Sequence, residues 1–409
     1  MIFRKFLIIS RSAPPAITGG AQMMYNLLRY FPEDSFCVLT SNLAFNHNRE
    51  IEKEKWLKAK YFYFDIPTRT TLPKKAETCF QKFKDFIERF RGLKWLAQTF
   101  LLFYLPFNII RLGRKIINEE NIDLILCYPD TPLLFSTYFL HKITKKPFFL
   151  YFYDLYYGNK IPLFQRILAY FLEPKVFKKA EKIFVMDEAL QEYYQKRYKR
   201  EIFVIPNSVP IEKSKSEFIL NHQEPYKIIY TGTISWPQAN SIKNLIKAIE
   251  KIKNFEVKLY LYTPHNKKFL NSQGIFESKK VVFTQALPFE IPEIQRKADI
   301  LFVPLSFNTK YPLVINTSSP GKTYEYLVSG RPILIHAPKN SYLVEYAKKY
   351  NFALVVDEEN IEKLKEAVEE LITNKKLVEK LINNAWQTAI LNHDAAKNSK
   401  FFQRFFFYE

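Results

Sequence analysis

The sequence predicts an α/β protein of two doubly wound domains, each a parallel sheet covered by helices on both faces. Three observations carry this reading. Strand-like and helix-like stretches alternate from one end of the chain to the other. The strand candidates are short continuous apolar runs, such as Phe6–Ile9 and Ile333–Ile335, which marks strands buried on both faces. A length of 409 residues is enough for two domains of about 200 each, and the polar, charged stretch 210–225, with two prolines, falls at the midpoint.

In the first half, Phe6–Ser10 reads as a strand and Ser12-Ala13-Pro14-Pro15 as a loop. Gly19-Gly20 opens a helix with Met23, Met24, Leu27, Leu28 and Phe31 on its buried face. Strand, glycine pair and helix make a doubly wound opening. A glycine pair is a weak signal for a phosphate or sugar site, strengthened here because glycine supplies only 9 of 409 residues, against an average near ~7%. Phe36–Thr40 and Tyr61–Phe64 are strands. From Phe80 to Lys115 basic and aromatic residues interleave, and the apolar run Leu96–Ile110 is broken by Gln98, Thr99, Pro106 and Asn108. The run falls short of the ~20 residues of a spanning helix. It reads either as two ordinary domain helices or as an amphipathic segment lying in a bilayer interface. Ile122–Cys127 and Pro147–Tyr153 are strands. The second ends at Asp154, which also suits a helix cap. Leu163–Lys179 and Glu188–Tyr198 are helical, and Ile183–Met186 and Ile202–Ile205 are strands.

In the second half, Lys227–Thr231 starts a new sheet, with Gly232 in the turn and a helix from Ile242 onward. Val257–Tyr262, Val281–Thr284, Ile300–Val303 and Ala353–Val356 are strands. Helices cover Pro292–Lys297 and Ile361–Leu391, and Asp394 caps a last one over Ala395–Phe407.

The stretch Tyr311–Pro338 carries the chemistry. A polar run of Asn316, Thr317, Ser318 and Ser319 leads to Pro320-Gly321, a short helix Lys322–Ser329, and Gly330. Ser and Thr suit an N-cap, Pro the first turn, Gly the residue past the end. A helix N-terminus favours an anion such as phosphate. Lys322 stands in the first turn, where the helix dipole disfavours a cation unless an anion is also present. Glu325, on the same face, can accept hydrogen bonds from two neighbouring hydroxyls, as on a ribose. An ordinary capped helix between two strands is the other reading of this spacing.

SSPGKTYEYLVSGRPIL resembles the donor-binding segment of family-4 glycosyltransferases of the GT-B fold, many of which carry Pro-x-Lys-x-x-Glu-Tyr-x-x-x-Gly-x-Pro there. The resemblance extends to Gly19-Gly20 and to Pro206-Asn207-Ser208-Val209, which is similar to the family's interdomain crossing. It implies an acceptor domain over 1–209, a nucleotide-sugar domain over 210–391, a cleft between them, and a helix over 392–409 crossing back to the first domain. It implies hexosyl transfer with retention, the donor held by Gly232, Thr233, Thr317, Ser318, Ser319, Gly321, Lys322 and Glu325. Catalytic roles fall on Lys322, Tyr153 and Asp154. This chain departs from the family at three points. Thr317 stands where the family has the first Glu of a Glu-x7-Glu pair. Thr233 stands where it has an Arg, with no Lys in register after it, although Lys243 reaches the position if the loop is two residues longer. Tyr153-Asp154 stands for His-Asp.

Composition bounds the rest. Cys37, Cys79 and Cys127 have no paired spacing, which implies a reduced compartment and no disulfide framework. The apolar run Phe6–Ile9 is too short for a signal peptide. The expected location is cytoplasmic, at the inner face of the membrane if the basic segment docks there. No histidines at ligand spacing and no Asp-x-Asp occur, so no metal and no cofactor is expected. A net charge of +20 fits an anionic membrane, an acidic small molecule or nucleic acid. No nucleic-acid-binding motif occurs, so the expected partners are a nucleotide sugar, a glycan or lipid-linked acceptor, and an anionic membrane. A nucleotide-sugar epimerase of the same fold and a non-catalytic membrane-surface protein with a degenerate site are the alternatives.

Overall fold

The structure, a computed structural model, describes residues 2–42, 55–65, 94–159, 163–211 and 224–408. The chain divides into two compact units, Met1–Ile205 with Ser399–Glu409, and Pro206–Asn398.

The first unit is built from β1 (Phe6–Ser10), α1 (Gly19–Leu28), β2 (Phe36–Ser41), β3 (Lys60–Phe64), α2 (Lys94–Glu119), β4 (Leu124–Cys127), α3 (Thr131–Thr144), β5 (Phe148–Phe152), α4 (Leu163–Lys179), β6 (Lys182–Val185), α5 (Glu188–Tyr198) and β7 (Phe203–Val204). Its strands form a parallel sheet in the order β3-β2-β1-β4-β5-β6-β7. β1, β2, β4 and β5 are buried along their whole length, which is why their sequences run apolar without alternation. Right-handed crossovers put α1 on one face and α2 to α5 on the other. On the α1 face, Phe402 and Phe406 join Phe6, Phe31 and Phe184 in one aromatic core, with Phe6 and Phe406 4.3 Å apart between ring centroids.

The apolar part of the basic, aromatic stretch lies in one 26-residue helix that runs through Pro106; residues 80–93 of that stretch lie outside the described residues. From Leu105 onward this helix buries Ile109, Gly113, Ile116 and Ile117 on one side, the spacing of an amphipathic domain helix. No helix among the described residues is long and apolar enough to cross a membrane. Asp154 caps no helix: it is followed by irregular chain.

The second unit contains β8 (Tyr226–Thr231), α6 (Trp236–Lys251), β9 (Val257–Tyr262), α7 (Lys267–Ser272), β10 (Val281–Thr284), α8 (Ile291–Arg296), β11 (Ile300–Pro304), α9 (Pro312–Asn316), α10 (Gly321–Leu327), β12 (Ile333–His336), α11 (Tyr342–Tyr350), β13 (Leu354–Val356), α12 (Ile361–Thr373) and α13 (Lys375–Asn392), with α14 (Ala395–Gln403) beginning in it. The parallel sheet has the order β10-β9-β8-β11-β12-β13. The strand order reverses between β8 and β11. Ligands of open parallel sheets bind at such a switch point, beyond the carboxyl ends of the strands.

Helix α6 begins at Trp236, six residues before the expected start. Ser235 N donates to Gln238 Oε1 at 3.1 Å and Pro237 sits in the first turn. Ser-x-x-Gln is the sequence signature of this capping box. Pro312–Asn316 forms a short helix not expected from the sequence. Helix α10 starts at Gly321 with Pro320 at the cap position and no side-chain cap, so no hydroxyl of the preceding polar run plays that part. Gly330, at φ +72°, takes the left-handed conformation expected past a helix end. Asp394 Oδ1 accepts from Ala396 N at 2.9 Å, capping α14 as expected.

Candidate active site

β8 ends at Thr231, and Gly232 turns the chain with φ +120°, a conformation that favours glycine. A Cβ at Gly232 would lie 3.3 Å from Lys322 Cε. Lys322 comes from the first turn of α10, between β11 and β12, so the switch point brings it beside the β8 turn. Its Nζ donates to the Tyr230 hydroxyl at 2.9 Å and lies 4.3 Å from the centroid of that ring. The Tyr230 hydroxyl in turn donates to the Thr233 carbonyl. Desolvation pushes the Lys322 amine down to about 8, and the Glu325 carboxylate opposes that shift.

Glu325 lies one helical turn along. Gln295 of α8 donates through Nε2 to Glu325 Oε2 and to Thr231 Oγ1, both at 3.2 Å. Thr231 N donates to the Tyr326 hydroxyl at 3.0 Å, tying the end of β8 to α10. The Thr323 hydroxyl, buried on the same helix, meets no hydrogen-bond partner among the described residues. A Cβ at Gly321 would sit 3.1 Å from Asn207 Nδ2, so the helix start is closely approached by another polar side chain. Tyr230, Gln295, Tyr326 and Asn207 were not singled out as site residues. Tyr326 lies in the Glu-Tyr pair of the motif and Asn207 in the Pro-Asn-Ser-Val run. Tyr230 and Gln295 carry no sequence signal.

The other residues expected at the donor site fall around this group with different partners. Thr317 Oγ1 donates to Leu313 O at 2.9 Å, and the Ser319 hydroxyl pairs with that of Tyr324. Ser318 is half-buried, its N donating to Ile315 O at 3.1 Å. Thr233 is exposed. Lys243 sits on α6 with its side chain against Gly274, Nζ 3.9 Å from a Cβ built there, whereas among the described residues only Lys322 atoms approach Gly232. The structure thus puts Lys322, and not Lys243, at the β8 turn.

The first unit brings together a second group. Thr18 Oγ1 caps α1 by accepting from Ala21 N at 3.2 Å, and Gly20 is approached by Tyr153, whose Cε2 would be 3.2 Å from a Cβ there. Gly19 meets no such neighbour among the described residues. The Tyr153 and Tyr128 rings are 4.9 Å apart, and desolvation raises both phenols. Asp154, beside Tyr153, keeps an exposed side chain, although desolvation raises its carboxyl above the usual range. Buried Asp187 at the end of β6 caps α5, accepting from Leu190 N at 2.8 Å, and burial pushes its carboxyl up to about 8. Asp130 after β4 caps α3 and pairs with Arg11 at 2.5 Å. All these residues follow the carboxyl ends of strands, and Asp130, Asp187 and Tyr128 were not foreseen. Among the described residues no three His, Cys, Asp or Glu side chains are placed to share a metal ion.

Residues 225–374, which include Gly232, Lys322 and Glu325, match the family described as Glycosyl transferases group 1. That segment lies in the second unit, and over the whole chain the fold is that of GT-B glycosyltransferase structures. No curated protein matches the sequence. Solved structures similar to this chain include the sucrose-phosphate synthase of Thermosynechococcus elongatus, at 14% identity and a TM-score of 0.68, covering 98% of this chain and 97% of that one. The HepE protein of Anabaena in complex with UDP-glucose is similar at 13% identity and a TM-score of 0.67, covering 98% and 99%. A Listeria monocytogenes protein assigned as a UDP-N-acetylglucosamine 2-epimerase is similar at 16% identity and a TM-score of 0.56, covering 98% and 95%.

Proposed function

We propose that this protein transfers a hexosyl or hexosaminyl group, with retention, from a nucleotide-diphosphate sugar to a glycan or lipid-linked acceptor in cell-surface polysaccharide synthesis. The observation that carries the proposal is the Lys322 amine held over Gly232 and Tyr230 at the switch point of the second unit, one turn from Glu325. That region falls within the part of the chain matched to group 1 glycosyltransferases, and a similar fold binds UDP-glucose.

The chemistry follows from charge. The bond from the anomeric carbon to the donor diphosphate breaks as the acceptor hydroxyl bonds to that carbon on the same face; the electron pair leaves with the phosphate oxygen, which takes the hydroxyl proton, and positive charge builds on the sugar ring in the transition state. Lys322 and the adjoining backbone N–H groups stabilise the departing diphosphate, an interaction that strengthens toward the transition state. Glu325 accepts from the ribose hydroxyls, steadied by Gln295. In this reading the first unit holds the acceptor, with Tyr153 and Asp154 beside the Gly20 loop. No metal ion and no nucleic acid enters. The protein works attached peripherally to the inner face of an anionic membrane.

The test is product analysis after incubation with radiolabelled nucleotide sugars and a membrane-lipid or glycan extract. Transfer of label to the acceptor with release of the nucleoside diphosphate is expected. Label recovered only in an epimerised nucleotide sugar would replace this reading by an epimerase, and unchanged donor in every case would refute it.

A further inference from the structure

We propose that the outer face of α2, α3 and α4 is a docking surface for an anionic lipid bilayer. This deepens the peripheral attachment proposed above by giving it a location, and it stands apart from the transfer chemistry.

The three helices lie side by side on one face of the first sheet, because β4, β5 and β6 are neighbours and their crossovers share one hand. α3 packs against both α2 and α4. Gly113 of α2 lets α3 come close: a Cβ there would lie 2.7 Å from Leu140 Cδ1. The inner sides bury Ile109, Ile116, Leu134, Leu140, Val176 and Phe177, so the core is filled without the apolar residues outside.

Those outside residues are large. On α4, Ile167, Tyr170 and Phe171 are 49%, 54% and 61% exposed, followed on the same stripe by Pro174 and Lys178. On α3, Phe139 and Ile143 are exposed beside Lys142, and on α2 Phe107 is 66% exposed, followed at helical spacing by Arg111 and Arg114. Over residues 105–119, 131–144 and 163–179 there are eight Lys or Arg and two acids. Of the two, Glu119 is exposed and Glu173 is buried.

An apolar patch of this kind marks a contact surface, and the charge selects its occupant. A second copy on the same face would bring these cations against their own counterparts. An anionic bilayer offers apolar depth for Phe107, Phe139, Tyr170 and Phe171, and negative charge for the lysines and arginines around them.

The experiment is flotation of the full chain with phosphatidylglycerol–phosphatidylcholine vesicles and with phosphatidylcholine vesicles. Two paired variants are compared, Ile167→Ser with Phe171→Ser, and Lys175→Glu with Lys178→Glu. Circular dichroism checks the fold, and transfer to a water-soluble acceptor checks the enzyme. The wild type is expected to float with the anionic vesicles at low salt and to be released at high salt. Each pair should lower the bound fraction at least tenfold with transfer unchanged. No flotation, equal binding to both vesicles, or variants that float like the wild type would overturn the proposal. A dimer in gel filtration that the Ile167→Ser, Phe171→Ser pair dissociates would assign the face to a second copy instead. Loss of transfer with flotation intact would count against the enzymatic reading alone.

Discussion

Lys322 and Tyr230 are locked together: the amine donates to the hydroxyl at 2.9 Å and rests against the same ring, 4.3 Å from its centroid. The hydroxyl's own proton goes to the Thr233 carbonyl, so Tyr230 accepts from Lys322 and leaves the other ammonium protons for a ligand. With its amine pushed down to about 8, Lys322 loses its charge within a measurable range. For the free enzyme, kcat/KM should fall above about pH 8. The limb in kcat should lie higher, because a bound diphosphate favours the charged form. Lys322→Arg keeps its charge throughout and should lose the limb. Stability changes in the opposite sense. The folded amine titrates near 8 and the free side chain near 10.5, so the unfolded chain binds more protons in that window and stability rises with pH across it. Lys322→Met should melt above the wild type at pH 7, and the gap should close by about pH 10. Thermal melts across this range check it; a gap that does not depend on pH would contradict it.

Glu325→Gln keeps the shape of the side chain and weakens it as an acceptor. Charge-assisted hydrogen bonds contribute roughly 1.5–3 kcal/mol. Affinity for the nucleotide sugar should therefore drop about ten- to a hundredfold, with the melting temperature little changed. Calorimetric titration reads this directly, and an unchanged affinity would make Glu325 a helix residue only.

Acid should destabilise the second unit through two histidines. His336 Nδ1 is 2.7 Å from Ser241 Oγ and its Nε2 3.2 Å from Glu358 O. His393 Nδ1 is 2.7 Å from the Asn207 carbonyl and its Nε2 2.7 Å from the Tyr346 hydroxyl. Burial pushes both rings down to about 4 from an ordinary 6.5. The unfolded chain therefore binds more protons between those values. The stability present above pH 6.5 is lost as pH falls toward 4, by at most about 3 kcal/mol per ring. Denaturant melts of His393→Gln between pH 7 and 4 should show a shallower loss than the wild type, and an equal slope would remove His393 from this account.

If Lys322 and backbone N–H groups neutralise the diphosphate, transfer should persist in excess chelator. Loss of the rate in chelator and its return with magnesium or manganese would contradict that.

The sheets were legible because strands buried on both faces run apolar, and β1, β4, β5 and β12 each announce themselves that way. The motif around Lys322 and Glu325 was legible as a local pattern of Pro, Gly and charge. Its neighbours were less so. Tyr230 is a strand residue among apolar ones, and its role comes only from β8 lying beside β11, a pairing across which Lys322 returns 92 positions later. Gln295 on α8 reaches both Thr231 and Glu325 by the same sheet order. The start of α6 differs for another reason: the apolar periodicity becomes clear only at Ile242, whereas the helix is set earlier by the Ser235–Gln238 capping box. With α6 starting at Trp236, Lys243 lies inside the helix and against Gly274.

The claim at the centre is that Lys322 supplies the positive charge for the leaving diphosphate. Turnover of Lys322→Ala and Lys243→Ala, measured side by side with labelled nucleotide sugar, tests it most directly. Lys322→Ala should lose at least a hundredfold in kcat, roughly 2.7 kcal/mol of transition-state stabilisation, while binding the bare nucleoside as the wild type does, and Lys243→Ala should turn over normally. A damaged Lys243→Ala enzyme beside a Lys322→Ala enzyme of normal kcat would contradict the account.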